Sequence, residues 1–174
     1  PSLNQDNRDT DEDGFVDNED DCDLVSGTST NDRQGCPDTD SDGWSDPDEG
    51  WTTNNGADAF PTQPSQWIDS DNDGFGDNLN GFEPDHCPYR RGYSNLDRFG
   101  CLDSDGDGWS DADHGGLDGV EPWFAHPNGS ADAFPFTPSQ WNDTDEDGFG
   151  DNWADGSWND TRMNWSIGAW YANA

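Results

Sequence analysis

The sequence contains no lysine and only six arginines against 40 acidic residues, so its formal net charge is −34 at pH 7. Hydrophobic residues make up only 28% of the chain, and the mean hydropathy is −1.19. No apolar run approaches the roughly 18 residues that a membrane-spanning helix needs. A chain with so little apolar content and so much charge does not fold by apolar burial alone. Nucleic acids and anionic membranes are excluded as partners because they would repel it.

The sequence also lacks the signatures of a catalytic site. The three histidines, His86, His114 and His126, share no spacing with a nucleophile or with a set of metal ligands. No G-x-S-x-G element is present. Pairs of carboxylates could indicate a glycosidase, but here they all belong to one repeated pattern. We therefore predict that the protein is not an enzyme.

What the sequence has instead is the pattern D-x-D-x-D-G-[aromatic]-x-D in five copies. Carboxylates two residues apart, followed by a glycine that permits a positive φ, turn several oxygens towards one point. Ca²⁺ takes about six to eight such oxygens, so the pattern predicts a calcium-binding array. Numbered from the first Asp of each copy, loops one to five span 9–20, 38–49, 69–80, 103–114 and 143–154.

The predicted ligands occupy equivalent positions in the five loops. They are the carboxylates at positions 1, 3, 5 and 9, any acid at position 12, and the backbone carbonyl of the aromatic residue at position 7, as in EF-hand loops. Five divalent ions would change the net charge from −34 to −24 and ten would change it to −14, which favours more than five. The residues are Asp9, Asp11, Asp13, Phe15, Asp17, Asp20, Asp38, Asp40, Asp42, Trp44, Asp46, Glu49, Asp69, Asp71, Asp73, Phe75, Asp77, Asp103, Asp105, Asp107, Trp109, Asp111, Asp143, Asp145, Asp147, Phe149 and Asp151.

The four cysteines form two equally spaced pairs. Cys22 and Cys36 enclose 13 residues, and so do Cys87 and Cys101. Four cysteines allow three pairings, and the equal spacing favours two local disulfides. Free thiols or a zinc site are the alternatives, but zinc wants closely spaced Cys/His pairs and only one of the two pairs has an adjacent histidine. Disulfides place the chain in an oxidising compartment, so we expect it to be secreted or on the cell surface.

The loops belong to a longer internal repeat. The cysteine pair recurs at an offset of 65 residues, and residues 57–61 recur at an offset of 74 as 131–135. A nine-residue insertion therefore lies between Asp111 and Ala131. Each repeat buries a core only together with its neighbours.

Among calcium-binding families, EF-hands and dockerin modules need flanking helices, which the Pro, Gly and Asn of the flanks disfavour. RTX β-rolls need glycine-rich nonapeptides that are absent. The pattern instead resembles the type 3 thrombospondin repeats, whose consensus D-x-D-x-D-G-x-x-D-x-x-D-x-C-P is followed from Asp9 to Cys22. Gln66 and Gln140 match the Gln that stands three residues before a loop. The resemblance covers about residues 9–155 and is closest to the prokaryotic surface-protein versions.

The resemblance implies little regular secondary structure and an elongated, calcium-stabilised, disulfide-linked repeat array, often with two ions per motif. It also implies further ligands. The closing D-x-C-P occurs at Asp85 and, with Phe in place of Cys, at Asp58 and Asp132. These three acids are therefore expected to complete loops three, two and four. For loop five, Asp155 is the candidate.

Two pairs of aromatic residues stand where the resemblance would place a disulfide pair. Phe60 and Trp67 lie in these places in the first long repeat, and Phe134 and Trp141 lie in them in the second. We therefore predict that each phenylalanine packs on its tryptophan and closes the chain as a disulfide would.

We predict a repeat array over residues 1–155 and an aromatic-rich tail over 156–174 that acts as a linker or an inter-subunit contact. The predicted function is that of an extracellular, calcium-stiffened rod or spacer of a surface or matrix protein, with a filament subunit as one form of it. The predicted partners are calcium, copies of the chain itself end to end, or other surface proteins and glycans. The alternative is a calcium-dependent adhesion or glycan-binding module that uses exposed tryptophans. Sequons predict glycosylation at Asn128, Asn142, Asn159 and Asn164.

Overall fold

The computed structural model describes residues 7–113 and 122–152. The chain divides into two compact units, Pro1–Pro88 with loops one to three and Tyr89–Ala174 with loops four and five. No helix in the described part is long and apolar enough to cross a membrane. This part has almost no helix or strand, as the sequence predicted. Its regular elements are a 3₁₀ helix, Thr53–Asn55, and isolated bridges that pair Gly76 with Pro84, Asp111 with Asp132, Asp113 with Trp123, and Ala125 with Ala131.

Each of the five loops is closed by the same backbone hydrogen bond. The N–H of position 9 donates to the carbonyl oxygen of the residue just before position 1, at 2.9 Å from Asp77 to Ile68 and at 2.6 to 2.8 Å in the other loops. Between these ends, positions 4 and 6 both adopt positive φ values, of 59–80° and 80–105° respectively. Position 6 is always glycine, as the steric cost of this conformation requires. Position 4 is glycine in loop four alone.

Two disulfides are present, as the cysteine spacing predicted. Cys22 and Cys36 are bonded, with 5.0 Å between their Cα atoms. Cys87 and Cys101 are disulfide-bonded as well, and no described cysteine is free. These cross-links constrain the unfolded chain and thereby favour the folded one.

The chain between the first two cysteines folds back closely on itself. The backbone N–H groups of Thr28 and Ser29 donate to the carbonyl oxygen of Cys36 at 3.0 and 3.1 Å. The buried hydroxyl of Ser29 in turn accepts the N–H of Cys36 at 3.0 Å. A Cβ atom on Gly27 would lie 1.9 Å from the carbonyl carbon of Cys36. Only glycine fits this approach of two backbone segments.

The interior of the protein is mostly polar. Its buried apolar side chains are small, whereas several buried side chains are carboxylates, amides or hydroxyls. Buried polar groups stabilise a fold only when they are hydrogen-bonded or neutralised. The buried apolar residues of the described part are Cys36, Ala57, Cys87, Cys101 and Ala131.

Trp67 and Trp141 each stack on another tryptophan and not on the phenylalanine that was predicted. Trp67 stacks on Trp44, with ring centroids 6.1 Å apart and planes 8° apart. Trp141 stacks on Trp109 at 6.2 Å and 5°. Trp44 and Trp109 are the position-7 residues of loops two and four, so each stack joins a metal loop to the segment that enters the next loop. The resemblance pointed to these tryptophans but paired them with phenylalanines, because a phenylalanine stands where the repeat consensus has its closing cysteine.

The close approach at Gly27 generates a stability prediction. Gly27→Ala should lower the free energy of unfolding by roughly 1–3 kcal/mol or more, because a side chain there overpacks against the backbone of Cys36. Gly50→Ala is the matched control, since a Cβ there would meet no atom closer than 3.5 Å. Denaturant unfolding in excess Ca²⁺ measures both. Equal effects of the two substitutions would contradict the packing at Gly27.

Candidate metal centre

The carboxylates at positions 1, 3 and 5 converge in all five loops. In each triplet, one oxygen from each Asp lies within 4.8 Å of the others. Such a group of oxygens is a ligand set for a hard cation. The triplets are Asp9, Asp11 and Asp13; Asp38, Asp40 and Asp42; Asp69, Asp71 and Asp73; Asp103, Asp105 and Asp107; and Asp143, Asp145 and Asp147.

Backbone N–H groups within the loop hold the carboxylates in place. In loop three, Asp69 accepts the N–H of Asn72 at 2.6 Å and that of Gly74 at 3.0 Å. Asp73 accepts the N–H of Phe75 at 3.0 Å. The left-handed conformation at position 4 directs its N–H to the carboxylate at position 1 in loops one to four. The sequence pattern did not reveal this role, because position 4 is occupied by five residues of mixed type.

Loops two, three and four each gain a further carboxylate from beyond their twelfth position. Asp58, Asp85 and Asp132 are 1%, 0% and 2% exposed. Their backbone N–H groups donate to the carbonyl oxygen of position 8 of loops two, three and four at 2.9, 2.8 and 2.9 Å. We call them the closing acids. They are the residues that the resemblance assigned to these loops; the structure places their backbone beside position 8, and their role as ligands stays a prediction.

One oxygen of each closing acid has no hydrogen-bond partner. Oδ1 accepts the N–H of the residue two positions later at 2.7 Å in all three cases. Oδ2 is buried and unpartnered. An unpaired buried carboxylate oxygen is costly unless a cation neutralises it, so the donor set fits a hard metal ion. Other buried carboxylate oxygens without a hydrogen bond belong to Asp11, Asp17, Asp40, Asp42, Asp105, Asp107 and Asp143.

Burial raises the pKa of Asp58, Asp85 and Asp132 to about 7. The hydrogen bond from the N–H two residues later opposes this rise in pKa. The charges of positions 5, 3 and 9 of the adjoining loop add to it. The closing acids therefore lie close enough to the carboxylates of their loops for the like charges to repel one another.

Position 9 was predicted to supply a ligand, and the structure shows a second role for it. In every loop its carboxylate accepts the hydroxyl of position 2, at 2.5 Å in loops three and four and at 2.6 to 2.8 Å in the others. This contact ties the two halves of the loop together. Sequence reasoning missed position 2, although the signal was present, since Thr10, Thr39, Ser70, Ser104 and Thr144 all carry a hydroxyl.

The two acids predicted at position 12 differ in their surroundings. Burial raises the pKa of Asp20, and the charges of Asp13 and Asp11 of loop one add to this effect. Glu49 is exposed, and Asp58 takes the closing place in loop two.

Among the other predicted ligands, the position-7 carbonyl oxygens of Phe15, Trp44 and Trp109 accept no backbone hydrogen bond within the described ranges. Asp155 lies outside the described residues, as do Asn159 and Asn164. Asn128 is exposed and Asn142 is half-buried.

Buried glutamines support loops three and five. The side-chain amide of Gln66 donates to the carbonyl oxygens of Asn78 and Phe82, and its oxygen accepts the N–H of Asn78. Gln140 makes the equivalent pair of bonds to Asn152. The resemblance pointed to both glutamines, and the structure gives them a role as fully hydrogen-bonded supports.

No protein-family model matches the chain, and no curated protein is significantly similar to it in sequence. Repeated Asp triplets and two disulfides are compatible with a calcium-binding repeat. The repeat family and the identity of the ion stay predictions.

The unpartnered oxygen of Asp58 leads to a prediction in two parts: replacing Asp58 should weaken Ca²⁺ binding but stabilise the metal-free protein. Asp58→Asn should weaken Ca²⁺ binding at loop two by about tenfold or more, because it removes a charged ligand. In a chelator, the same substitution should raise the melting temperature, because it removes a buried, repelled carboxylate. Calorimetric titration and thermal unfolding measure the two effects.

Glu49→Gln is the matched control, since it removes the same charge from an exposed acid near the same loop. It should leave both quantities close to those of the parent protein. The assignment of Asp58 is wrong if the control weakens binding and Asp58→Asn does not.

The raised pKa values of the closing acids also predict a pH dependence. Their pKa is higher in the folded, metal-free protein than in the unfolded chain, so their contribution to stability is greatest at low pH and is lost as pH rises through about 7. In a chelator, the melting temperature should therefore fall between about pH 5 and about pH 8. Ca²⁺ affinity should rise over that range, because fewer protons compete for the same oxygens. Affinity that is unchanged across this range would rule out the closing acids as ligands.

Proposed function

We propose that this protein is an extracellular calcium-binding structural protein, a rod or spacer that stiffens when its loops are filled. One observation carries the proposal: beside the converging triplets of loops two, three and four, a closing acid buries a carboxylate oxygen that has no hydrogen-bond partner. A repeated set of this kind supports a function that depends on the whole array rather than on one site.

The donor chemistry favours Ca²⁺ over other cations. The converging ligands are carboxylate oxygens, which suit hard cations. The described cysteines are disulfide-bonded, and no histidine joins the clusters in the described part. Thiolate and imidazole sites, which zinc and copper prefer, are therefore not formed by these loops. Mg²⁺ prefers about six oxygens in rigid octahedral geometry and keeps several waters, whereas Ca²⁺ accepts more protein oxygens.

Neutralisation of the carboxylates is coupled to folding. Without a cation, the closing acid and the triplet repel one another, and the segment that carries the closing acid is pushed from the loop. With the repulsion removed, that segment stays hydrogen-bonded to position 8. Binding free energy thus becomes folding free energy. We expect dissociation constants in the range of extracellular modules, about 10⁻⁴ to 10⁻³ M.

The tryptophan stacks and the disulfides connect each loop to its neighbours, so that an ordered loop also orders the segment next to it. The stack of Trp44 on Trp67 connects loop two to the entry of loop three, and that of Trp109 on Trp141 connects loop four to the entry of loop five. Filled loops linked in this way form a stiff array. An elongated rod, with filament assembly as one form of it, is the function that this arrangement supports best.

The alternative of a glycan-binding module that uses exposed tryptophans is less favoured. Every tryptophan in the described part is half-buried, and four of them stack in pairs. Saturable, Ca²⁺-dependent binding to a glycan panel would nevertheless support that alternative over a rod.

The proposal is tested by small-angle X-ray scattering with and without a chelator, with the disulfides kept oxidised. A compact globule of this length would have a radius of gyration of about 16 Å, and an unfolded chain one of about 44 Å. The Ca²⁺-loaded rod should exceed the globular value. Chelation should then increase the radius and change the tryptophan emission, because the stacks loosen.

Asp73→Ala provides a local version of the same test. It should disorder loop three and leave the radius closer to that of the parent protein than chelation does. A radius and an emission spectrum that do not respond to the chelator would refute the proposal.

A further inference from the structure

A group of residues outside the ligand set holds loop two in shape. The carboxylate of Asp32 accepts the N–H and the hydroxyl of Ser45, at 2.8 and 2.5 Å, and the indole N–H of Trp51 at 3.0 Å. Arg33 donates to the same hydroxyl at 3.1 Å, and its guanidinium lies 5.4 Å from the centroid of the Trp51 ring. We call these four residues the anchor of loop two. Both carboxylate oxygens of Asp32 accept hydrogen bonds from within the protein, in contrast to the closing acids, so we treat Asp32 as a support and not as a ligand.

The anchor acts directly on the place where the loop is closed. Ser45 is position 8 of loop two and is fully buried. Its carbonyl oxygen accepts the N–H of the closing acid Asp58 at 2.9 Å. Asp32 therefore holds both the N–H and the hydroxyl of Ser45, the residue to which Asp58 is hydrogen-bonded. Arg33 also donates to the carbonyl oxygen of Asp46, the position-9 residue, at 3.2 Å.

The same anchor is built a second time at loop four. Asp97 accepts the N–H and the hydroxyl of Ser110 at 2.9 and 2.7 Å and the indole N–H of Trp123 at 3.3 Å. The guanidinium of Arg98 lies 5.0 Å from the centroid of the Trp123 ring. The carbonyl oxygen of Ser110 accepts the N–H of the closing acid Asp132 at 2.9 Å.

The anchor of loop four keeps these contacts although the insertion between Asp111 and Ala131 lengthens the chain that connects its serine to its tryptophan. Five residues separate the serine from the tryptophan in the anchor of loop two, but 12 separate them in the anchor of loop four. The tryptophan nevertheless reaches the equivalent carboxylate in both. A contact that is retained while the connecting chain lengthens is a requirement of the loop and not a consequence of local sequence.

The distribution of anchors follows the length of chain that has to be closed. Loop one has Val16 at position 8 and its acid Asp20 at position 12. In loops two and four, the closing acid follows position 1 by 20 and 29 residues. The entropic cost of closing a loop grows with its length. Anchors are present where this cost is greatest.

We propose that Asp32 and Asp97 are positioning residues that preorganise metal binding at loops two and four. They hold position 8 so that the closing acid reaches the carboxylate triplet without a large loss of chain entropy. The inference rests on the proposed calcium-binding function and assigns part of its affinity to residues that do not touch the ion.

The test is a Ca²⁺ titration of the full ¹⁵N-labelled chain, followed by NMR at Gly43 and Gly108. Their N–H groups donate to position 1 of loops two and four at 3.0 and 2.9 Å, so each signal reports on its own loop. Asp32→Asn is nearly isosteric, but its amide NH₂ would face donors in place of an acceptor oxygen. The midpoint of each titration is the Ca²⁺ concentration at which the signal has completed half of its change. Asp32→Asn should raise the midpoint of Gly43 by about tenfold or more and leave that of Gly108 unchanged.

Asp97→Asn should have the mirror effect, since it belongs to the other anchor. Glu83→Gln, which removes the same charge from an exposed residue, should move neither midpoint. At saturating Ca²⁺, both anchor variants should recover the parent Gly43 and Gly108 shifts, because the anchors lower the cost of closure without defining the bound state.

The possible results separate the two proposals. If Gly43 and Gly108 do not respond to Ca²⁺ in the parent protein, the calcium-binding function itself fails. If they respond but Asp32→Asn leaves the Gly43 midpoint unchanged, the function stands and the positioning role is overturned. If Asp32→Asn raised the midpoint Ca²⁺ concentration equally at both glycines, the substitution would destabilise the protein generally, and this would also overturn the positioning role.

Discussion

Carboxylates packed together without a positive charge dominate the energetics of this protein. Each loop converges three aspartates on one point, and three of the loops add a closing acid that is almost completely buried. The chain has six arginines for 40 acids, so it cannot neutralise these clusters itself. Under the calcium-binding function proposed above, cations supplied by the solvent neutralise these clusters and stabilise the folded arrangement. The interior is correspondingly polar, and its buried apolar side chains are few and small.

The remaining interactions keep each cluster in shape. Backbone N–H groups bond to both oxygens of the position-1 carboxylate, as at Asp69, but to only one oxygen of a closing acid, as at Asp85. The hydroxyl of position 2 secures position 9 in every loop. These are short-range contacts, and they recur because each loop has the same local sequence.

Local patterning explains what could be predicted from the sequence. The triplets and the disulfides follow from short spacings, and the near absence of helix and strand follows from Pro, Gly and Asn in the flanks. The closing acids needed the resemblance, since Asp58 follows the start of its loop by 20 residues. The partner of Trp67 was assigned wrongly, and the role of Asp32 was not foreseen. Both depend on contacts between segments that are distant in sequence, for which spacing gives no signal.

The closing acids show how neighbouring elements are joined. In loop three, the N–H that bonds to the closing acid belongs to the disulfide cysteine Cys87, and in loop one Cys22 makes the same bond to Asp20 at position 12. In loops two and four, that N–H belongs to Phe60 or Phe134. One oxygen of each closing acid is thus bonded to the cross-linked or aromatic segment that follows, and the other is buried without a hydrogen-bond partner. If the other oxygen binds a cation, as we propose, order in the loop and order in the following segment depend on each other.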